Sequence, residues 1–251
     1  MVGRHAFITG GGSGIGLAIA RVLAGAQWRV TIAGRSTERL LSAAGTIGGA
    51  NVQPVDVTDE KAVESAFRQA SERLGPVHLL VNNAGGVTSA PFEKTTAVGW
   101  LQTLDLNLMG TVHCIRAALP EMKRIGWGRI INIASTAGLV GFRYASPYVA
   151  AKHAVVGLTK SLALEVARCG VTVNAVCPGY TDTDLVSGAI KRISAATKRT
   201  EDDALAAMVA SNPQDRLIRP EEVAAAVLWL ASDDAAAVNG IALPIAGGEV
   251  S

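Results

Sequence analysis

The side chains best suited to moving a proton in this chain are Tyr148 and Lys152, separated by Val149-Ala150-Ala151. They lie in a helical pattern, where an i,i+4 spacing brings two side chains onto one face. A free phenol has a pKa of ~10 and is a poor base near neutrality. A nearby ammonium favours the phenolate and lowers that value. Such a tyrosine can give or take a proton at a carbonyl or alcohol oxygen while a hydride moves on the attached carbon. By itself, Tyr-x-x-x-Lys also describes an ordinary helix-surface pair, so its meaning depends on the rest of the sequence.

A place for a nucleotide lies near the start of the chain. Thr9-Gly10-Gly11-Gly12-Ser13-Gly14-Ile15-Gly16 follows the apolar run Ala6-Phe7-Ile8 and precedes a helical pattern, Leu17-Ala18-Ile19-Ala20. Glycines at a strand-to-helix turn let backbone amides approach a pyrophosphate, and the helix N-terminus adds unpaired N–H groups and partial positive charge. Glycines can equally form nothing more than a tight turn. Here the cluster sits between the first strand and first helix of an alternating chain, which favours dinucleotide binding. Gly10, Gly14 and Gly16 fit that role best, with Ser13 and Ile15 between them, although the spacing is not the usual G-x-G-x-x-G. An oxidised nicotinamide would add positive charge beside Tyr148.

About 20 residues further on, a site for NAD usually offers an acid to the ribose 2′-hydroxyl. The second strand here ends Ile32-Ala33-Gly34-Arg35-Ser36, with no acid at its tip, and Glu38 follows too late. A guanidinium at that point suits a 2′-phosphate through bidentate charged hydrogen bonds. The expectation is NADP, with NAD as the runner-up.

The elements that must hold these groups alternate along the chain. Candidate strands fall near 5–9, 29–33, 51–55, 77–81, 128–134, 171–176 and 241–245, and helices near 15–26, 37–47, 59–74, 96–124, 147–168 and 220–231. Such alternation implies an α/β fold: a single-domain, Rossmann-like, doubly wound parallel sheet of about seven strands with helices on both faces. The chain reads as one dinucleotide-binding and catalytic domain over 1–251. One long irregular stretch, about 178–212, interrupts the pattern and is read as a substrate-binding lid.

Composition removes several other classes. With 251 residues and 49% hydrophobic content, the chain can bury a substantial core. Its 23 basic and 21 acidic residues nearly cancel, and no basic stripe interleaved with aromatics appears, so nucleic acid is not an expected partner. Cys114, Cys169 and Cys177 are odd in number and lack CxxC spacing, which points to reduced thiols in the cytoplasm. The start lacks the apolar core of a signal peptide. The apolar run Val223 to Ala231 is far below the ~20 residues of a membrane span. His5, His78, His113 and His153 have no metal-ligand spacing with the cysteines, so no metal is expected.

Six motifs in order give the pair its context: Thr9-Gly10-x-x-x-Gly14-x-Gly16, Asn82-Asn83-Ala84-Gly85, Asn107, Ser135, Tyr148-x-x-x-Lys152 and Pro178-Gly179. Tyr148 lies 13 residues after Ser135. Over nearly its whole length the chain resembles the short-chain dehydrogenase/reductase family, in its compact subclass. The resemblance implies that Tyr148 is the general acid/base, while Lys152 lowers its pKa and binds the nicotinamide ribose. It further implies that Ser135 polarises the substrate oxygen and that Asn107 anchors a water in a proton relay to Lys152. Asn83, Ala84 and Gly85 would line the cofactor, Asp56 and Val57 would contact the adenine, and Pro178, Gly179, Thr181 and Thr183 would hold the carboxamide end. Thr136 competes with Ser135, whose spacing to Tyr148 favours it. Ala134 and Ala151 stand where many relatives carry serine.

The substrate is less legible. Lys191-Arg192 and Lys198-Arg199 in the lid could receive the phosphates of coenzyme A or of an acyl-carrier-protein arm, or form a solvated helix face. Phe142, Arg143 and Tyr144 are expected to shape the pocket. The reading is a 3-oxoacyl/3-hydroxyacyl thioester, with a non-thioester secondary alcohol or ketone as the alternative. A cofactor-retaining isomerase or dehydratase and a non-catalytic redox sensor are the rivals. The resemblance also implies a homotetramer, or failing that a dimer, through apolar helices at 96–124 and 147–168.

Overall fold

The computed structural model describes residues 3–197 and 200–250. Seven strands form one parallel sheet: β1 (His5–Thr9), β2 (Arg29–Gly34), β3 (Asn51–Pro54), β4 (Val77–Asn82), β5 (Gly128–Ile133), β6 (Val171–Pro178) and β7 (Ala242–Ile245). Their order is β3-β2-β1-β4-β5-β6-β7. The chain therefore winds outward from β1 to β3, returns to β4 beside β1, and winds the other way. The reversal opens a crevice above the C-terminal ends of β1 and β4, where α/β sheets bind ligands.

The central strands β1, β4, β5 and β6 are largely buried because helices cover both faces. On one face α1 (Gly14–Gly25), α2 (Thr37–Ile47) and α9 (Pro220–Leu230) bury Ile19, Leu23, Leu40, Val227 and Leu230 against Ile8 and Ile32. On the other, α3 (Glu60–Leu74), α5 (Gly110–Ile125) and α6 (Ser146–Val166) bury Phe67, Met122 and Val166 against Phe7, Leu80 and Ile130. Phe7 and Phe67 stack with centroids 4.0 Å apart. Each such side chain contributes ~1.5–3 kcal/mol of burial energy.

Two expectations need correction. The stretch 96–124 is not one helix: α4 (Ala97–Leu104) runs into a π turn at Asp105–Met109 before α5 begins. The Asn107 amide donates to the Thr103 carbonyl at 3.0 Å and, across the cleft, to that of Gly86 at 3.0 Å. That side chain sits where the helix widens, as π turns at functional sites commonly do. The stretch 178–212 is not irregular either, since it carries α7 (Asp184–Thr197) and α8 (Glu201–Val209). The sequence signals were a capping box, in which Thr200 and Asp203 bond reciprocally, and helical apolar spacing through Val186, Ile190 and Ile193. Lys198 and Arg199 lie outside the described residues.

Below the sheet, the buried His5 ring is held between the Gly75 carbonyl at 2.7 Å and Thr31 Oγ1 at 2.8 Å. Burial pushes its pKa down from 6.5 to about 4. The unfolded chain thus binds the proton first as pH falls. Its contribution to stability is complete above pH 6.5 and is lost between 6.5 and about 4, at up to ~1.4 kcal/mol per pH unit. Urea unfolding at stepped pH should show this slope, and His5→Gln should flatten it.

Candidate active site

Thr9, the last residue of β1, organises the floor of the crevice. Its hydroxyl accepts the backbone N–H groups of Asn83 and Ala84, both at 2.9 Å. The Asn83 amide returns two bonds, to the carbonyls of Thr9 at 3.0 Å and Gly10 at 3.2 Å. The glycine turn and the Asn83-Ala84-Gly85 loop are thereby fastened across the switch point. A Cβ on Gly16 would lie 2.6 Å from the Asn83 amide nitrogen and collide with the Gly10 carbonyl. Gly10 and Gly14 have φ of +65° and +51°, a region that favours glycine.

Ser13 stands exposed at the N-cap of α1, and its side chain makes no capping bond. The N–H groups of the first turn of α1, from Gly14 through Ile15, are thus open to an anion, with no acid in that turn to repel it. Thr183 comes from beyond β6 to meet this turn, its methyl 3.0 Å from where a Gly14 Cβ would lie. Thr181 is buried, donating its hydroxyl to the Gly179 carbonyl at 3.0 Å. Arg35 lies exposed at the tip of β2. The Asp56 carboxylate accepts from Thr58 N at 3.0 Å and its hydroxyl at 2.9 Å. Val57 is buried against Gly110, its carbonyl bonded to the His113 ring at 2.9 Å. A shallow, glycine-floored trough with a free helix N-terminus fits a dinucleotide.

At the C-terminal end of β5 the second cluster assembles. Ser135 begins a short 3-10 turn, Thr136–Gly138, and accepts from Ala137 N at 3.1 Å. Thr136 points into the core, 2% exposed, whereas Ser135 remains partly open, so Ser135 is the hydroxyl the cleft can use. The Ser135 hydroxyl lies near enough to the Tyr148 phenol to favour its ionised form. Lys152, one turn along α6, is fully buried; its ammonium donates to the Ile133 carbonyl at 2.9 Å and lies 5.6 Å from the Tyr148 ring centre. Gly85 is wedged between the two sides: a Cβ there would be 2.8 Å from Asn107 Oδ1 and 3.6 Å from the Lys152 ammonium. Asn107 is itself 1% exposed and also accepts Gly86 N at 3.1 Å.

The electrostatics differ from the expectation that Lys152 lowers the Tyr148 pKa. Burial dominates and pushes the phenol up, with the Ser135 hydroxyl pulling the other way. Burial also drags Lys152 down, from 10.5 to about 8. The protein alone therefore presents Tyr148 as a proton donor. Among the described residues no group of three or more His, Cys, Asp or Glu could hold a metal ion. No helix among them is long and apolar enough to cross a membrane.

The short chain dehydrogenase family model matches residues 4–193. The chain belongs to the short-chain dehydrogenase/reductase family. It is 40% identical over 252 residues to D-beta-hydroxybutyrate dehydrogenase of Rhizobium meliloti (strain 1021), covering 98% of each chain. It is 39% identical to a putative ketoacyl reductase of Streptomyces coelicolor, covering 97% of this chain and 95% of that one. Actinorhodin polyketide ketoreductase, whose variant is solved with NADPH, superposes with a TM-score of 0.95 at 37% identity, covering 99% and 97%. As a member of this family the protein is an oxidoreductase of secondary alcohols and ketones with a nicotinamide cofactor.

Sequence reasoning placed Thr9 in the glycine motif without giving it a role, and missed Gly86. A polar residue closing an otherwise apolar strand was a signal for Thr9; Gly86 had none, since only its main chain takes part. Two variants probe the site. Gly16→Ala should lower the Tm and weaken cofactor binding at least about tenfold, read by NADPH fluorescence, because its Cβ meets backbone. Lys152 is charged at neutral pH in both folded and unfolded chains, and a folded pKa of about 8 against 10.5 implies a folding cost of about 3 kcal/mol. That cost fades only as pH rises from 8 through 10.5. Lys152→Met should therefore gain ~1–3 kcal/mol in urea unfolding at pH 7 while losing activity.

Proposed function

We propose that this enzyme interconverts the ketone of a 3-oxoacyl thioester and the matching 3-hydroxyacyl compound, with NADP(H). The carrying observation is the convergence of Ser135, Tyr148 and Lys152 beside the glycine-floored trough. When bound, the nicotinamide supplies or takes the hydride. The Ser135 hydroxyl orients the substrate oxygen, and Tyr148, kept protonated by burial, gives that oxygen its proton in the direction of reduction. The Lys152 ammonium, aimed past Ile133 towards Gly85, meets the cofactor ribose and replenishes the proton. The Asn107 amide is already committed to Gly86 and Thr103, so its backbone carbonyl anchors the relay water.

Pro178, Gly179 and Thr181 line the carboxamide end, and Asp56 and Val57 the adenine. Arg35 takes the 2′-phosphate and sets NADP above NAD. The thioester reading draws on relatives named for hydroxybutyrate and ketoacyl substrates and on exposed Lys191 and Arg192 of α7, cations for an anionic carrier. The helices α7 and α8 are the lid. The exposed Val98 and Leu101 of α4 and Leu164 of α6 support a homotetramer.

Tyr148→Phe should lower kcat by ~10²–10⁴-fold with NADPH affinity nearly intact; retained turnover ends the mechanism. Reduction of acetoacetyl-CoA followed at the NADPH absorbance tests the substrate and separates redox turnover from isomerisation. Arg35→Ser should raise the NADPH KM ~10–100-fold and leave that for NADH almost unchanged. Indifference to both cofactors would unseat the arginine.

A further inference from the structure

Tyr180 is the first residue past Pro178-Gly179, where β6 leaves the sheet for the lid. Its backbone is fixed, since its carbonyl accepts Ile218 N at 2.8 Å and Thr181 bridges to Ile218. Its ring packs with the lid cluster of Val186, Ile190 and Ala204. It also meets Phe142 edge-on, the centroids 6.2 Å apart at 77°. Phe142 belongs to the segment leading into α6, so the ring bridges the lid and the element that carries Tyr148.

Among the described residues the hydroxyl has no hydrogen-bonded protein partner, and it is not one of the buried orphaned polar atoms, so it is open to solvent. A phenylalanine would make the same ring contacts. A solvent-open phenol that is hydrogen-bonded to no acceptor among the described residues is suited to a ligand oxygen. Partial burial and the Glu249 carboxylate hold this phenol above its ordinary range, so it is a donor at neutral pH.

We propose that the Tyr180 hydroxyl donates a hydrogen bond to a second substrate oxygen that does not react, the acyl carbonyl of a 3-oxoacyl compound. The proposal rests on the thioester reading above, and it explains how a ketone carrying that carbonyl is told from a plain ketone. A substrate without the second acceptor gains nothing from the donor.

The test compares acetoacetyl-CoA with its thioether analogue S-(3-oxobutyl)-CoA, in which a methylene replaces the thioester carbonyl, on wild type and Tyr180→Phe with NADPH. The variant keeps the ring, so an unchanged Tm and NADPH affinity verify its fold. The expected result is a roughly five- to tenfold loss of kcat/KM on acetoacetyl-CoA and less than about twofold on the thioether. Wild-type enzyme that uses both compounds equally well overturns the thioester reading and the proposal together. A wild-type preference for acetoacetyl-CoA that survives Tyr180→Phe overturns the role of the hydroxyl alone. Equal losses on both compounds make Tyr180 a wall residue and overturn it too.

Discussion

Everything above the sheet depends on a close approach that tolerates no side chains. At the switch point, the Thr9 hydroxyl takes two N–H groups from the loop after β4, and the Asn83 amide gives two bonds back to the turn after β1. Gly16 lies against that same knot. These bonds satisfy backbone groups that neighbouring strands can no longer pair once β1 and β4 diverge. They also set how deep the trough is and how near α1 comes to it. The second cluster, at the end of β5, registers against this floor at Gly85, where a Cβ would meet both Asn107 and Lys152.

Placing Lys152 there runs against stability. Among the described residues its buried ammonium has no carboxylate beside it and one bond, to the Ile133 carbonyl, and its lowered pKa reflects that environment. Tyr148 shifts in the opposite sense, its phenol held neutral by partial burial. Burial thus raises one group and lowers the other, and the two ordinary values of 10.0 and 10.5 move apart. Such a separation is a frequent mark of acid/base pairs. The large apolar layers on both faces of the sheet tolerate this local cost.

Much of this was legible because it follows from periodicity and from residue types with narrow uses. Alternating apolar strands and amphipathic helices can close only a few ways, and the glycine turn and Tyr148/Lys152 spacing are short-range patterns. What escaped depends on contacts between distant segments. The break at Asp105–Met109 cannot be seen in a pattern that stays apolar and helical throughout; it accompanies an Asn107 side chain that reaches Gly86 as well as its own helix. The direction of the Tyr148 shift turns on how deeply the ring is packed, which no spacing encodes. The helices within 178–212 escaped for a simpler reason: Thr200 and Asp203 form a capping box that marks a helix start.

The segment carrying α7 and α8 also has a small apolar nucleus of its own, Val186, Ile190 and Ala204. It departs after β6 and rejoins before α9, and no strand of the sheet runs through it. Selection can therefore rewrite α7 and α8 without disturbing the layers that hold the knot and the catalytic pair. The sheet and its two apolar layers can stay constant while a module outside them varies. A fold divided in this way can diversify in substrate far faster than in mechanism.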